Sequence, residues 1–136
     1  MAARHQRISG QGYPYLVACD GETVLGYAYV FAYRDRPAYR FTVEDSVYVR
    51  SDVQGRGIGA ALLSRLVAQS EACGYRKMIA VIGDSTNVGS VRLHQRAGFL
   101  SAGTLNAVGW KHEKWLDVVL MQRILGPGHT APPRER

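Results

Sequence analysis

The sequence predicts a mixed α/β (α+β) fold: a mostly antiparallel sheet with one central parallel β-α-β unit. Three observations predict it. Residues 14–49 hold three short runs rich in Val, Tyr and Phe, divided by turn residues, which is hairpin material. A glycine-rich turn at 54–59 opens a stretch with helical apolar spacing, and a continuous apolar run follows at Lys77 to Ile82. Such a run after a helix is the mark of a buried parallel strand. Finally, 136 residues with 46% apolar and 21% charged composition make one globular domain with a real core.

In chain order, Pro14 to Cys19 reads as a strand and Asp20-Gly21 as a hairpin turn, because both residues tolerate positive φ. Thr23 to Phe31 is the return strand. Arg34-Asp35-Arg36-Pro37 is a polar break. Phe41 to Val49 alternates, with Phe41, Val43, Asp45, Val47 and Val49 on one side and Thr42, Glu44, Ser46 and Tyr48 on the other. Acidic residues inside a strand need a reason, and a β-bulge that re-aims one of them is the expected device. A helix runs from the glycine turn to about Cys73, carried by Ile58, Leu62, Leu66 and Cys73, and Gly74 ends it. Asp84, Ser85, Thr86 and Asn87 are cap candidates for a short helix to about Arg96, closed by Gly98. Phe99 to Leu105 and Trp115 to Met121 are the last strands. Residues 126–136 read as a disordered tail, leaving residues 1–125 as the domain. The order is β-β-β-α-β-α-β-β.

Composition excludes several classes. Apolar runs are too short for a membrane span, and the first residues lack the apolar core of a secretory signal. Cys19 and Cys73 have no metal-ligand or redox spacing, so two reduced thiols in a cytoplasmic protein are expected. No metal site is expected. The net charge of +6 admits an anionic ligand, but the basic residues are scattered apart from Arg34, Arg36 and Arg40, which argues against nucleic acid.

The glycine turn has three readings. Gly55-Arg56-Gly57-Ile58-Gly59-Ala60 fits a variant dinucleotide fingerprint, with Asp84 near the place of a ribose-binding acid. Against it stand Glu44 and Asp45 in the preceding strand, the hairpins before the turn, and too little chain for a second nucleotide half. A flexible helix start that binds nothing is the second reading, but three glycines in five residues carry an entropic cost. The third is Gln54-x-x-Gly57-x-Gly59, a helix N-terminus that cradles phosphates.

That third pattern resembles the acetyl-CoA pyrophosphate loop of the GNAT superfamily of N-acetyltransferases. Val47-Tyr48-Val49 precedes it at family spacing, and Asn87 to Phe99 ends in Arg-Ala-Gly-Phe, like the family's second cofactor-side helix. Thr42 to Val49, Val91-Arg92-Leu93-His94, and Lys111-His112 with Trp115 and Asp117 look like the phosphinothricin and L-methionine sulfoximine acetyltransferases, over most of residues 5–123. The resemblance implies a fold whose first strand-helix segment has no counterpart here, residues 1–12 corresponding to the tail of a second helix. An exposed sheet edge and an incomplete amine-side wall are then expected.

The resemblance implies acetyl transfer from acetyl-CoA, the co-substrate, to the α-amino group of a small amino acid or analogue. Another amine acceptor, or a shortened remnant that binds the cofactor without catalysis, are the alternatives. Peptide N–H groups across Gly55, Arg56, Gly57, Ile58, Gly59 and Ala60 would hold the pyrophosphate. The backbone of Val47, Tyr48 and Val49 would pair with the pantetheine arm as an added strand, and one N–H would polarise the thioester carbonyl. Asn87 and Arg96 are further cofactor-side positions. Glu44 is the expected general base, the alternative being an ion pair with a nearby arginine. Asp45 is its substitute. His94 occupies the place of the family's thiolate-protonating group. Arg36 and Arg40, whose forked guanidinium groups match a carboxylate or phosphinate, join Glu44, Asp45 and Ser46 as acceptor-side residues; Arg34 reads as solvated loop. Lys111, His112 and Trp115 border the family's substrate cleft, while Trp110 and Tyr48 suit a core equally well. A small-molecule amine is the partner implied, with no nucleic acid or membrane, and a homodimer is compatible with the resemblance.

Overall fold

The computed structural model describes residues 2–7, 12–84 and 87–134. Seven strands form one sheet in the order β1-β2-β3-β4-β5-β7-β6. They are β1 Ala2–Arg7, β2 Pro14–Asp20, β3 Thr23–Ala32, β4 Thr42–Val49, β5 Lys77–Ile82, β6 Leu100–Lys111 and β7 Lys114–Ile124. Helix α1 (Ile58–Ala72) connects β4 to β5, and α2 (Val88–Arg96) connects β5 to β6. β4 and β5 pair parallel; the other neighbours are antiparallel. This is the mixed sheet with a central β-α-β that the hydrophobic periods predict.

Period two decides which face of the sheet is covered. Leu16, Ala28, Val30 and Val43 lie on one face and form a single buried cluster with Ile58, Leu62, Leu63 and Leu66 of α1. Burying the seven side chains larger than Ala28 contributes on the order of 1.5–3 kcal/mol each. Tyr15, Tyr27, Tyr29, Phe31 and Tyr48 alternate onto the opposite face, where neighbouring rings stand 5.2–6.3 Å apart. Tyr48 is 50% exposed and Trp110 61%, so neither is core.

Several expectations need correction. No bulge breaks β4: its register with β3 runs evenly from Gly26↔Val49 to Ala32↔Val43. Asp45 keeps its inward position because a histidine lies above it, so the alternation has no need to break. The irregularity falls between β2 and β3 at Ala18/Cys19. Residues 2–7 are a strand rather than a helix tail, paired along the edge of β2 that the sequence left open. Their composition offers no helical apolar stripe, whereas the β2 edge supplies a full row of backbone partners. The remaining residues of that expected helix tail, 8–11, lie outside the described residues, as do Ser85 and Thr86.

Of the expected tail, residues 126–132 are docked rather than frayed, and Glu135 and Arg136 lie outside the described residues. Leu125 is fully buried, the Gly126 N–H donates to Glu71 Oε2 at 2.6 Å, and the Arg76 guanidinium donates to the carbonyls of Gly128, Ala131 and Pro132 at 2.8–3.0 Å. One half-buried cation thus satisfies three loop carbonyls, a long-range pairing that local composition does not announce. β6 and β7 also run longer than predicted and close in a two-residue turn with His112 and Glu113 at φ 51° and 60°, the geometry that matches strand twist.

Candidate active site

The site begins where the sheet opens. β4 pairs with β5 only through Thr42↔Lys77, Val43↔Met78 and Glu44↔Ile79. β5 stays with β7 along its whole length, up to Ile82↔Val119. β4 therefore departs after Glu44, and Asp45 to Val49 hold ladder partners on the β3 side alone. Val81, predicted as part of a buried run, is 41% exposed for this reason. A cavity of about 170 Å³ fills the gap, lined by Asp45, Ser46, Val47, Ala80, Val81, Ile82, Gly83, Asn87, Ser90 and His94. Free N–H and C=O groups along such a strand edge match an extended amide chain.

The N-terminus of α1 stands at the end of β4. Gly55 and Gly57 have φ 85° and 78°, the left-handed region in which a Cβ is strained. Gly57 is the residue before the first helical position, and its carbonyl accepts from the Ala61 N–H at 3.0 Å. The N–H groups of Ile58, Gly59 and Ala60 precede any intrahelical acceptor and carry the positive end of the helix dipole. The Gln54 side-chain amide donates to the Val49 carbonyl at 3.4 Å, which ties the loop to β4. At Gly59 an added Cβ would come into ordinary van der Waals contact with Leu93 and Val49 at 3.5 Å, which marks where α1, α2 and β4 converge. Arg56 is exposed beside this loop. Asn87 caps α2 through a hydrogen bond to its Oδ1 from the Ser90 N–H at 3.2 Å, leaving its two amide hydrogens as donors. Arg96 lines a groove of about 420 Å³ between α1 and α2 with Ala60, Ser64, Leu93 and Ala97.

Two acids stand on opposite faces of β4. Glu44, on the aromatic face, is half-buried and opposite Phe31. Burial pushes its pKa up, the Asp45 charge adds to the rise, and Arg34 pulls partly back. A carboxylate so adjusted is a better proton acceptor near neutral pH than an exposed one. Arg34, expected to be a solvated loop residue, is thus the cation that Glu44 feels. Strand alternation did not reveal this, because the loop's path is set by the 3-10 turn at Pro37–Tyr39. Arg36 and Arg40 flank that turn and are exposed; Arg40 donates to the Pro37 carbonyl at 2.6 Å and lies over the Phe41 ring.

Asp45 points to the helical face, where His94 of α2 meets it. His94 Nε2 is 2.7 Å from Asp45 Oδ2, and His94 Nδ1 is 2.8 Å from the Ser90 carbonyl. The ring is 4% exposed and meets Phe99 edge-on. Burial alone would lower the His94 pKa; the hydrogen bond and charge of Asp45, with the Ser90 carbonyl, outweigh it and raise the value. Asp45 Oδ1 is buried with no hydrogen-bond partner among the described residues. Lys111 and His112 lie at the tip of the β6–β7 hairpin, with Trp110 and Trp115 packed 5.0 Å apart behind them. They do not line the cavity.

Residues 2–99 match the model of the acetyltransferase (GNAT) family. The chain belongs to the GNAT acetyltransferase family. A phosphinothricin N-acetyltransferase of Alcaligenes faecalis is 49% identical over 133 residues, covering 98% of this chain and 68% of the relative. An L-methionine sulfoximine/L-methionine sulfone acetyltransferase of Pseudomonas paraeruginosa is 47% identical, covering 90% of this chain and 71% of the relative. A crystal structure of a GNAT phosphinothricin acetyltransferase from Sinorhizobium meliloti, in complex with acetyl-CoA, superposes with a TM-score of 0.89 at 51% identity. It covers 94% of this chain and 69% of that one. The GNAT fold and the acetyl-CoA-using chemistry implied by the Gln54-Gly57-Gly59 loop are thus this chain's own.

Proposed function

We propose that this chain transfers the acetyl group of acetyl-CoA directly to the α-amino group of a small amino acid or analogue of the phosphinothricin or methionine sulfoximine type. The observation that carries this is the departure of β4 from β5 after Glu44, with one acid on each face at that point. The thioester arm suits the helical side, where Val47, Tyr48 and Val49 offer a strand edge and the α1 N-terminus offers N–H groups to the pyrophosphate. Arg56 adds charge beside it, and Asn87 and Arg96 lie along the same side. The acceptor then approaches from the aromatic face. Glu44 takes the ammonium proton, so that the amine lone pair attacks the thioester carbon. A β4 N–H stabilises the oxygen on which charge develops. Loss of the thiolate, with the second nitrogen proton passing to solvent, leaves the amide.

Arg36 and Arg40, exposed on the loop before β4, supply cationic forks for the acceptor's carboxylate or phosphinate. A polyamine acceptor would be repelled by them. The relatives named above act, by their names, on acceptors of this anionic kind. A thiol-release assay with acetyl-CoA across amino-acid analogues, protein N-termini and polyamines tests the reading. Release of CoA with phosphinothricin or methionine sulfoximine at rates well above the other amines supports it. Preference for a polyamine refutes the assignment of the acceptor.

A further inference from the structure

His94 stands where the family resemblance puts the acid for the departing thiolate, yet its ring has no free nitrogen. A carbonyl oxygen only accepts, so Nδ1 must carry a hydrogen toward Ser90. Nε2 faces a carboxylate oxygen at 2.7 Å, so one hydrogen lies between them. With Asp45 ionised, both nitrogens are protonated and both N–H bonds are used. Among the described residues, the one polar atom of this pair that remains without a partner is Asp45 Oδ1, on a side chain only 1% exposed. Asp45 lines the cavity between β4 and β5. A buried carboxylate oxygen left unpaired is costly, and such atoms in native proteins wait for a ligand or take part in chemistry.

We propose that Asp45 is the catalytic acid that meets the departing sulfur, and that His94 is a positioning residue that stores its proton. The proposal rests on the acetyl-transfer reading above. The step balances as follows. The C–S bond breaks and leaves its electron pair on sulfur. The Nε2–H bond of the imidazolium breaks, its electron pair stays on the ring, and the proton passes to Asp45 Oδ2. Rotation of the Asp45 side chain about Cα–Cβ and Cβ–Cγ carries the protonated oxygen, buried in the resting pair, out to the cavity, where the S–H bond forms. Asp45 is again a carboxylate, and a solvent proton that enters by the cavity returns to His94 Nε2 by way of Asp45, because the ring itself is buried.

The groups facing His94 agree with this. β4 contributes Asp45, its own helix contributes the Ser90 carbonyl, and the segment after α2 contributes the uncharged Phe99 ring. β5 contributes Ala80 and Ile82, which carry no charge, to the shared cavity. Glu44 lies on the other face of β4, and Arg96 and Arg123 line the α1–α2 groove instead.

Two measurements test the proposal. The first is nitrogen-15 NMR of His94 in the wild-type chain at pH 7. Both ring nitrogens protonated is the expected state, and a neutral ring overturns the proposal. The second compares Asp45→Asn with wild type on acetyl-CoA and on its selenoester, whose selenolate leaves without needing a proton. Loss of a positioned acid costs about 10²-fold or more in kcat on the thioester. On the selenoester the two proteins should differ by less than about threefold, with unchanged acetyl-CoA affinity. Equal losses on both donors would make Asp45 a packing residue and overturn the assignment. Should Asp45→Asn not fold, the wild-type spectrum still decides. A wild-type chain that acetylates no amine sinks the acetyl-transfer reading, whereas the His94 spectrum then still reports on the pair.

Discussion

Substituting Gly57 separates charge from shape at the α1 N-terminus. Gly57 sits at φ 78° and ψ 10°, and an added Cβ there meets nothing within 4 Å. A side chain therefore fits in space, and the cost is the left-handed backbone, which Asn and Asp tolerate best. Both are also good helix N-caps. Gly57→Asn and Gly57→Asp thus share size, backbone strain and capping, and differ by one negative charge. At a separation of about 5 Å from one phosphate charge, repulsion is about 0.8–3.3 kcal/mol for effective dielectric constants of roughly 80 to 20. That corresponds to about 4- to 250-fold in affinity for one phosphate charge, and the pyrophosphate carries two. Isothermal calorimetry with acetyl-CoA should show Gly57→Asp binding more than tenfold more weakly than Gly57→Asn. At raised salt the gap should narrow, because the charges are exposed. Equal affinities for the two variants would remove the pyrophosphate from this turn.

Four further outcomes are expected. Glu44→Gln should lower kcat by about 10²–10⁴-fold at pH 7 with acetyl-CoA affinity kept, and regain part of it at high pH where free amine is present; full turnover at pH 7 excludes Glu44 as the base. Replacing Arg36 or Arg40 by Leu should raise the acceptor KM by roughly ten- to hundredfold and leave acetyl-CoA affinity alone, and wild-type KM values in both variants would point to an uncharged or cationic acceptor. Gly26→Ala would bring its Cβ to 2.5 Å from the Tyr48 carbonyl oxygen and 3.3 Å from the Val49 Cα. Overpacking against backbone should cost about 1–3 kcal/mol, read as a lower Tm together with weaker acetyl-CoA binding; an unchanged Tm would show that β4 yields freely. The pH dependence of stability should follow His94. Its native pKa is raised, so its contribution is complete below the unfolded value of about 6.5 and is lost as pH rises through the native value. Thermal melts should fall over that range in wild type. In Asp45→Asn, where burial outweighs the remaining Ser90 carbonyl and lowers the pKa, they should rise, and parallel curves would contradict the pairing.

The alternation in Phe41 to Val49 determined that Glu44 and Asp45 face opposite ways, and the glycines at 55, 57 and 59 determined where a helix could begin and an anion could be held. Both are local consequences of period and of φ, and the structure keeps them. Helix α1 was legible from its apolar spacing, α2 from its cap residues and closing glycine, and the strand Lys77–Ile82 from its continuous apolar run, although Val81 within it is exposed. Only the tertiary structure decided what Asp45 and His94 do to one another. They are 49 residues apart, and their contact exists because α2 lies over the face of β4 that carries Asp45. The same holds for Arg76, whose cation gathers carbonyls 52 to 56 residues downstream and turns an apparent tail into part of the fold. The opening of the sheet after Glu44 is likewise invisible in either strand alone. It depends on the relative direction of β4 and β5, which is set by what packs above them. Composition and period specify a residue's face and neighbours along the chain; distance between elements, and so pKa, ion pairing and the gap that admits a substrate, comes from packing.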